Sequence, residues 1–142
     1  AVPRMIAVED NPADVRLLLE GVDATVIELE LTVYNSGRNA ADSLAAIAPD
    51  TLDEHPDLIL LDLNGPGRSG FELLELIRTD TAFQQVPVVI VSSSENPADI
   101  DRAYELAANA YATKPADPDE YIRMIDATID FWIATADPFT SQ

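Results

Sequence analysis

The amino-acid sequence predicts an α/β protein built on a doubly wound, five-stranded parallel sheet with helices on both faces. Two observations carry that reading. Short apolar runs alternate with stretches of helical periodicity along the whole chain. The helical stretches also open on clear start signals. Asn11-Pro12-Ala13-Asp14 and Asn96-Pro97-Ala98-Asp99 each place an N-cap Asn before a Pro at the first helical position. Ser69-Gly70-Phe71-Glu72 and Asp117-Pro118-Asp119-Glu120 have capping-box spacing. The repeated Asn-Pro-Ala-Asp is one cap solution used twice, because nothing else around the two copies is alike.

Taken in order, Met5-Ile6-Ala7-Val8 is a buried strand by its length and flanks, and a helix follows over residues 12–21. Residues 29–34 read as the second strand and 38–48 as the second helix. The apolar run 58–61 is the third strand, followed by a helix over 71–79. The Val-rich run 86–91 is the fourth strand and 97–107 its helix. A short strand over 110–113 and a helix over 118–133 complete the pattern. That last helix carries two apolar stripes, Ile122, Ile125, Ile129 and Trp132 on one and Tyr121, Met124, Thr128 and Phe131 on the other. One stripe faces the sheet; the other is extra core or an interface patch.

The 142 residues are one domain's worth of chain, expected to form a single domain over 1–142, and 47% of them are hydrophobic, enough for a proper core. Starting at Ala1, the chain reads as one trimmed of its initiator Met, either a whole small protein or a domain of a longer one. No apolar run is long enough to span a membrane, and no basic, apolar signal segment opens the chain. Zero cysteines exclude a disulfide framework and thiolate metal sites, which favours the cytoplasm. The net charge is −18, and Lys114 is the one lysine beside seven arginines. Such a surface repels a phosphate backbone, so nucleic acid is not an expected partner. The acids are dispersed along the chain, as on proteins of a high-salt cytoplasm, and do not form an acidic tail.

Open parallel sheets bind their ligands at the carboxyl ends of the strands. Here those ends carry Glu9-Asp10, Asp62, Ser92 and Thr113-Lys114-Pro115. Each alone is ordinary: an Asp after a strand is usually a cap or loop residue, and Ser92 opens a run of three serines. Together they fall in one phase of the βα repeat. Clustered carboxylates repel unless a hard cation sits among them, and oxygen ligands suit Mg²⁺. With an ammonium and a hydroxyl added, the rim is built for phosphoryl transfer by positioning and charge neutralisation. The single lysine, in a chain that otherwise uses Arg, marks a place that wants a compact point charge.

The rival motif is Gly65-Pro66-Gly67-Arg68-Ser69-Gly70, which spells the G-x-G-x-x-G fingerprint of dinucleotide binding. That fingerprint belongs in the first βα turn, and this one follows the third strand. Its second position is Pro66, which has no N–H to offer a phosphate. The only histidine, His55, reads as a solvated loop residue before Pro56.

The segments "VEDNPADVRLLLE", "LILLDLNGPGRSGFELL", "PVVIVSSSE" and "AYATKP" resemble the receiver domain of two-component response regulators, above all small single-domain receivers partnered with phytochrome-type histidine kinases. The resemblance covers nearly all of the chain in order and spacing. It implies a flavodoxin-like (β/α)5 fold with strand order 2-1-3-4-5. It implies Asp62 as phosphoacceptor and Glu9 and Asp10 as the acid pair. Asp10 and Asp62 would bind Mg²⁺, helped by the backbone carbonyl of Asn64. Lys114 would contact the phosphoryl oxygens, Ser92 would be the hydroxyl that moves onto that group, and Tyr111 the aromatic switch that follows it. The implied partners are a sensor histidine kinase and a second copy of the chain, paired through the face of the fourth helix, fifth strand and fifth helix. The chain would then be a switch with only self-phosphotransfer and self-dephosphorylation chemistry. Departures are Glu9 where Asp is commoner, Ser92 where Thr is commoner, and Gly65 where a large apolar residue usually sits. A pseudo-receiver that keeps the fold without phosphorylation is the alternative. A haloacid-dehalogenase-type phosphatase would need D-x-D, and Asp62-Leu63-Asn64 lacks the second Asp.

The charge carries a prediction of its own. Self-repulsion of a −18 chain is screened as the Debye length falls from roughly 10 Å at 0.1 M salt to about 3 Å at 1 M. The melting temperature is expected to rise between those conditions in scanning calorimetry. A flat or falling trend contradicts the high-salt reading.

Overall fold

The computed structural model describes residues 2–45, 55–62, 69–79 and 85–134. Its five strands are β1 (Arg4–Val8), β2 (Glu30–Tyr34), β3 (Leu58–Asp62), β4 (Val88–Ser92) and β5 (Ala110–Thr113). All pair in parallel, in the order β2-β1-β3-β4-β5. The helices are α1 (Pro12–Ala24), α2 (Gly37–Ala45), α3 (Ser69–Thr79), α4 (Pro97–Glu105) and α5 (Pro118–Ile129), the last running into a π-helical turn over Asp130–Ala134. The flavodoxin-like order 2-1-3-4-5 expected of the sequence is the one observed. It reverses direction between β1 and β3, so their carboxyl ends flank the crevice where ligands of such sheets sit.

Alternation along the strands sorts the core into two layers. Met5, Ala7, Leu58, Leu60, Val89 and Val91 face α1 and α5, where Leu18, Ile125 and Ile129 cover them. Ile6, Val8, Ile59, Leu61, Val88 and Ile90 face the other way, against Ala40 of α2, Leu73, Leu74 and Ile77 of α3 and Ala103 of α4. Both faces of β1, β3 and β4 are thus covered, which is why these strands read as unbroken apolar runs.

The boundary differences have physical causes. The first helix runs past Gly21 to Ala24, because this glycine is a packing residue and not a stop. A Cβ there would lie 2.6 Å from the Ile125 Cβ, so Gly21 is what lets α1 and α5 approach. The fourth strand begins at Val88, because Pro87 has no N–H for the ladder; its carbonyl accepts from the Ile59 amide at 2.9 Å. Helix α4 stops at Glu105, two residues short of expectation, and Ala107 beyond it adopts a left-handed φ of 68°. Arg78, from the last turn of α3, closes this corner. It donates to the Ala107 carbonyl at 2.9 Å, the Val86 carbonyl at 2.8 Å and Asn109 Oδ1 at 2.6 Å. Burial lowers the Arg78 pKa, but the group remains a cation.

The stripes of the last helix need correction. The buried row is Tyr121, Ile125, Ile129 and Ile133, one residue every four, so Tyr121 belongs to the core and not to a spare stripe. Met124 is half-buried against the same cluster, and Phe131 is 61% exposed, edge-on to Trp132. Three helix starts are as expected: the side chains of Asn11, Asn96 and Asp117 accept from Ala13, Ala98 and Asp119 amides at 2.9, 3.0 and 2.9 Å. Residues 46–48 of the second predicted helix and 63–68 of the glycine-rich loop lie outside the described residues.

Gly21→Ala tests the close α1–α5 approach. Alanine gains about 0.8–1 kcal/mol in helix propensity. Overpacking against a Cβ that is tied to backbone costs up to about 3 kcal/mol. A net loss of about 2 kcal/mol is expected in urea denaturation, and an unchanged or raised midpoint would show that the helices are farther apart.

Candidate functional site

Three side chains of the rim continue the strand rows that face α1 and α5. Glu9 follows Met5 and Ala7, Asp62 follows Leu58 and Leu60, and Lys114 follows Ala110 and Ala112. Period-two alternation therefore brings two acids and the lysine to one side of the sheet edge. A fourth group, Asp14, arrives from the first turn of α1, the helix packed on that same face. Lys114 Nζ lies 2.5 Å from Asp62 Oδ2, 2.7 Å from Asp14 Oδ2 and 3.3 Å from Glu9 Oε2. The site is desolvated: the Glu9, Asp62 and Lys114 side chains are 3%, 5% and 9% exposed. Glu9 is anchored from behind, its Oε1 accepting from the Asn11 amide at 2.9 Å.

Burial alone would lower the Lys114 pKa, but the hydrogen bonds and charges of Asp14 and Asp62 outweigh it, and the net shift is upward. Beneath the ammonium lies the Tyr121 ring, its centroid 5.9 Å from Nζ. Burial pushes the Tyr121 phenol up to about 12; the Lys114 charge opposes this, and Asp62 and Asp14 add to it.

Among the described residues, Glu9, Asp14 and Asp62 each offer a carboxylate oxygen within 4.8 Å of the others. Three carboxylates face one ammonium, which leaves two negative charges uncompensated. An all-oxygen donor set with that excess fits a hard divalent cation.

Of the residues singled out from sequence, Glu9, Asp62 and Lys114 come together. Asp10 does not join them. It is one residue out of phase, in line with Ile6 and Val8, and it lies exposed in an open cleft with Pro12, Val15, Tyr34 and Asn39. Asn64 is outside the described residues. Ser92 and Tyr111 sit on the α4 side of the sheet and meet at Ser94. Ser92 Oγ accepts from the Ser94 amide at 3.0 Å, and the Tyr111 hydroxyl donates to the Ser94 carbonyl at 2.8 Å. The Lys114 amide donates to the Ser92 carbonyl at 2.7 Å, which joins the two sides. Sequence reasoning singled out neither Asp14 nor Ser94, which the structure brings to these groups. The signal for Asp14 was present: the helix that covers the Glu9–Asp62 face carries an acid in its first turn. His55 is partly buried at a bend just before β3.

The model of the response regulator receiver domain matches residues 5–126. Response regulator Rcp1 of Synechocystis sp. is 34% identical over 92% of this chain and 89% of its own length. The crystal structure of a phosphorylated cyanobacterial phytochrome response regulator, RcpA, superposes with a TM-score of 0.86 at 35% identity, covering 96% of this chain and 97% of that one. The Mn²⁺-bound form of Rcp1 gives a TM-score of 0.81 at 33% identity, over 92% and 94% of the two chains.

The buried phenol predicts how stability responds to alkali. Tyr121, near 12 in the folded chain against about 10 when unfolded, holds its proton more tightly when folded. Its contribution is complete below about pH 10 and is lost as pH rises toward 12. Lys114, also raised, works in the same direction above its ordinary value of about 10.4. Denaturant stability is expected to decline through this window, with one of the four tyrosines ionising last in phenolate absorbance. Tyr121→Phe should remove that late step; its persistence would mean another tyrosine is the buried one.

Proposed function

The chain belongs to the response regulator receiver domain family of two-component signalling, and from that premise we propose that Asp62 is the residue that accepts the phosphoryl group from a sensor histidine kinase. One observation carries the assignment. Asp62 ends the central strand β3 with its side chain buried, its Oδ2 held by the only lysine of the chain.

In the transfer, a carboxylate oxygen of Asp62 attacks the phosphorus of a kinase phosphohistidine. The new P–O bond forms as the P–N bond breaks, and its electron pair stays on the imidazole nitrogen, which takes up a proton. Self-dephosphorylation is the reverse logic with water: its oxygen bonds phosphorus, the P–O bond to Asp62 breaks, and carboxylate and inorganic phosphate result. Glu9 and Asp62 of the buried cluster, with the neighbouring Asp10 and the Asn64 carbonyl that the family resemblance implies, would hold Mg²⁺, which would supply positive charge to the phosphoryl oxygens. The rim suits such an ion, because Mg²⁺ usually takes one or two carboxylates, fewer than the rim offers, and fills the rest of its shell with water and phosphate oxygens. Lys114 contributes the second positive charge and orients the phosphoryl oxygens. That two similar proteins were solved phosphorylated or with Mn²⁺ supports this reading.

Ser92 and Tyr111 then report the new charge to the surface. Both are bonded to Ser94, so a hydroxyl drawn toward the phosphoryl group shifts the β4–α4 turn and with it the Tyr111 ring. The output face is α4, β5 and α5, through which a second copy pairs, in the cytoplasm where the kinase domain offers its phosphohistidine. Tyr121 takes no part in this face, since it is buried. Because Asp62, Glu9, Asp10, Ser92 and Lys114 are all present, a binding-only pseudo-receiver is without support.

Acetyl phosphate with Mg²⁺ should label the wild-type chain, and Asp62→Asn should reduce labelling to background, as read on phosphate-affinity gels. Chelation of the metal should do the same. Light scattering of the two forms with beryllofluoride should show dimer only for wild type. Labelling of Asp62→Asn at the wild-type level would exclude Asp62.

A further inference from the structure

Lys114 has a partner that the transfer does not require. An ammonium has three donors, and here Glu9, Asp14 and Asp62 occupy all three. Nζ therefore cannot bind phosphoryl oxygens on Asp62 without releasing a carboxylate. Asp62 would bear the phosphoryl group, and Glu9 is fixed by the Asn11 amide at the end of β1. Asp14 alone reaches Nζ from outside the strand ends, from a helix turn, at 2.7 Å.

The second copy of the motif shows that a helix start of this sequence does not by itself aim its aspartate at a lysine. In α4 the equivalent Asp99 accepts from the hydroxyl of Ser94 at 2.6 Å. In α1 the same position meets Lys114 because α1 packs beside α5 through Gly21 and Ile125, and α5 begins at Pro118, three residues after Pro115. The contact is thus made by tertiary placement and not by capping.

We propose that Asp14 is a positioning residue that gives Lys114 a second seat and competes with the phosphoryl group for its ammonium. This rests on the reading of Asp62 as phosphoacceptor. In the resting pocket Asp14 shares the lysine with Asp62. Phosphoryl oxygens on Asp62 must take Nζ from Asp14, and the strength of that contact sets how readily the switch is thrown. A family phosphoacceptor site needs an acid pair, an acceptor, a hydroxyl and a lysine; Asp14 adds a brake to that set.

The sole lysine makes the test direct, because a ¹⁵N spectrum shows one side-chain ammonium signal, that of Lys114. Wild type, Asp14→Asn, Asp14→Ala, Asp14→Glu and Asp23→Asn are titrated with beryllofluoride at saturating Mg²⁺. Asp23 lies on the same helix about 13 Å along its axis and controls for the loss of one negative charge. Asp14→Asn and Asp14→Ala should bind the mimic about five- to tenfold more tightly, the range of one net hydrogen bond. Before any mimic is added, their Lys114 signal should already lie closer to its bound position. Asp14→Glu should restore wild-type behaviour, and Asp23→Asn should match wild type. Unchanged or weaker binding in both Asp14→Asn and Asp14→Ala, with wild type binding normally, overturns the brake and leaves the Asp62 reading intact. A wild-type chain that takes no mimic overturns both.

Discussion

The arrangement at the sheet rim depends on one ammonium. Glu9, Asp14 and Asp62 come from β1, α1 and β3, and their oxygens lie within 4.8 Å of one another. Two like charges at about 4 Å repel by about 4 kcal/mol at an effective dielectric of 20. The net charge of the chain, −18, adds to that repulsion. Lys114 compensates part of it, and the hydrogen bonds that raise its pKa despite burial are the same ones that hold the three elements in place. The remaining negative charge is what gives the site its appetite for a divalent cation. Stability and function draw on a single group, so the rim is poised and not relaxed.

The sheet divides the work. Carboxylates and ammonium stand on the α1–α5 side, while Ser92 and Tyr111 stand on the α4 side. The two sets touch through the β4–β5 ladder, where the Lys114 amide meets the Ser92 carbonyl. Ser94 then gathers Ser92, Tyr111 and, through its hydroxyl, Asp99. A change of charge at Asp62 therefore has a continuous hydrogen-bonded route to the outer face of α4 and β5. Arg78 pins the far end of that region by binding the Val86 and Ala107 carbonyls and Asn109.

Much of this was legible in the sequence because the signals were local. Apolar runs covered on both faces, proline-led helix starts and strand-end acids are all written in neighbouring residues, and the order of elements followed from them. What was misjudged depends on contacts far apart in sequence. Gly21 looked like a helix stop, and only Ile125 across the interface shows it to be a spacer. Tyr121 looked like one of two equivalent stripes until the sheet chose the row ending in Ile133. Asp14 looked like part of a cap, although the strand rows of Glu9, Asp62 and Lys114 already named the face that its helix covers. Asp10 follows Glu9 in sequence, and it is exposed where Glu9 is buried.

The same geometry explains why the single lysine is not an arginine. Nζ takes three carboxylates arriving from three directions, with the Tyr121 ring beneath it. An ammonium radiates its three donors, and rotation about its last bond adapts them to acceptors that change when a phosphoryl group arrives. A guanidinium is planar, and its donors form a rigid fork that matches one carboxylate or phosphate edge at a time. It would satisfy one partner well and leave the others facing each other in a pocket too dry to screen them. If Lys114 passes its ammonium from Asp14 to a phosphoryl group, as proposed, that exchange needs the point charge. Everywhere else on this acidic surface, where no such exchange is required, the chain uses Arg.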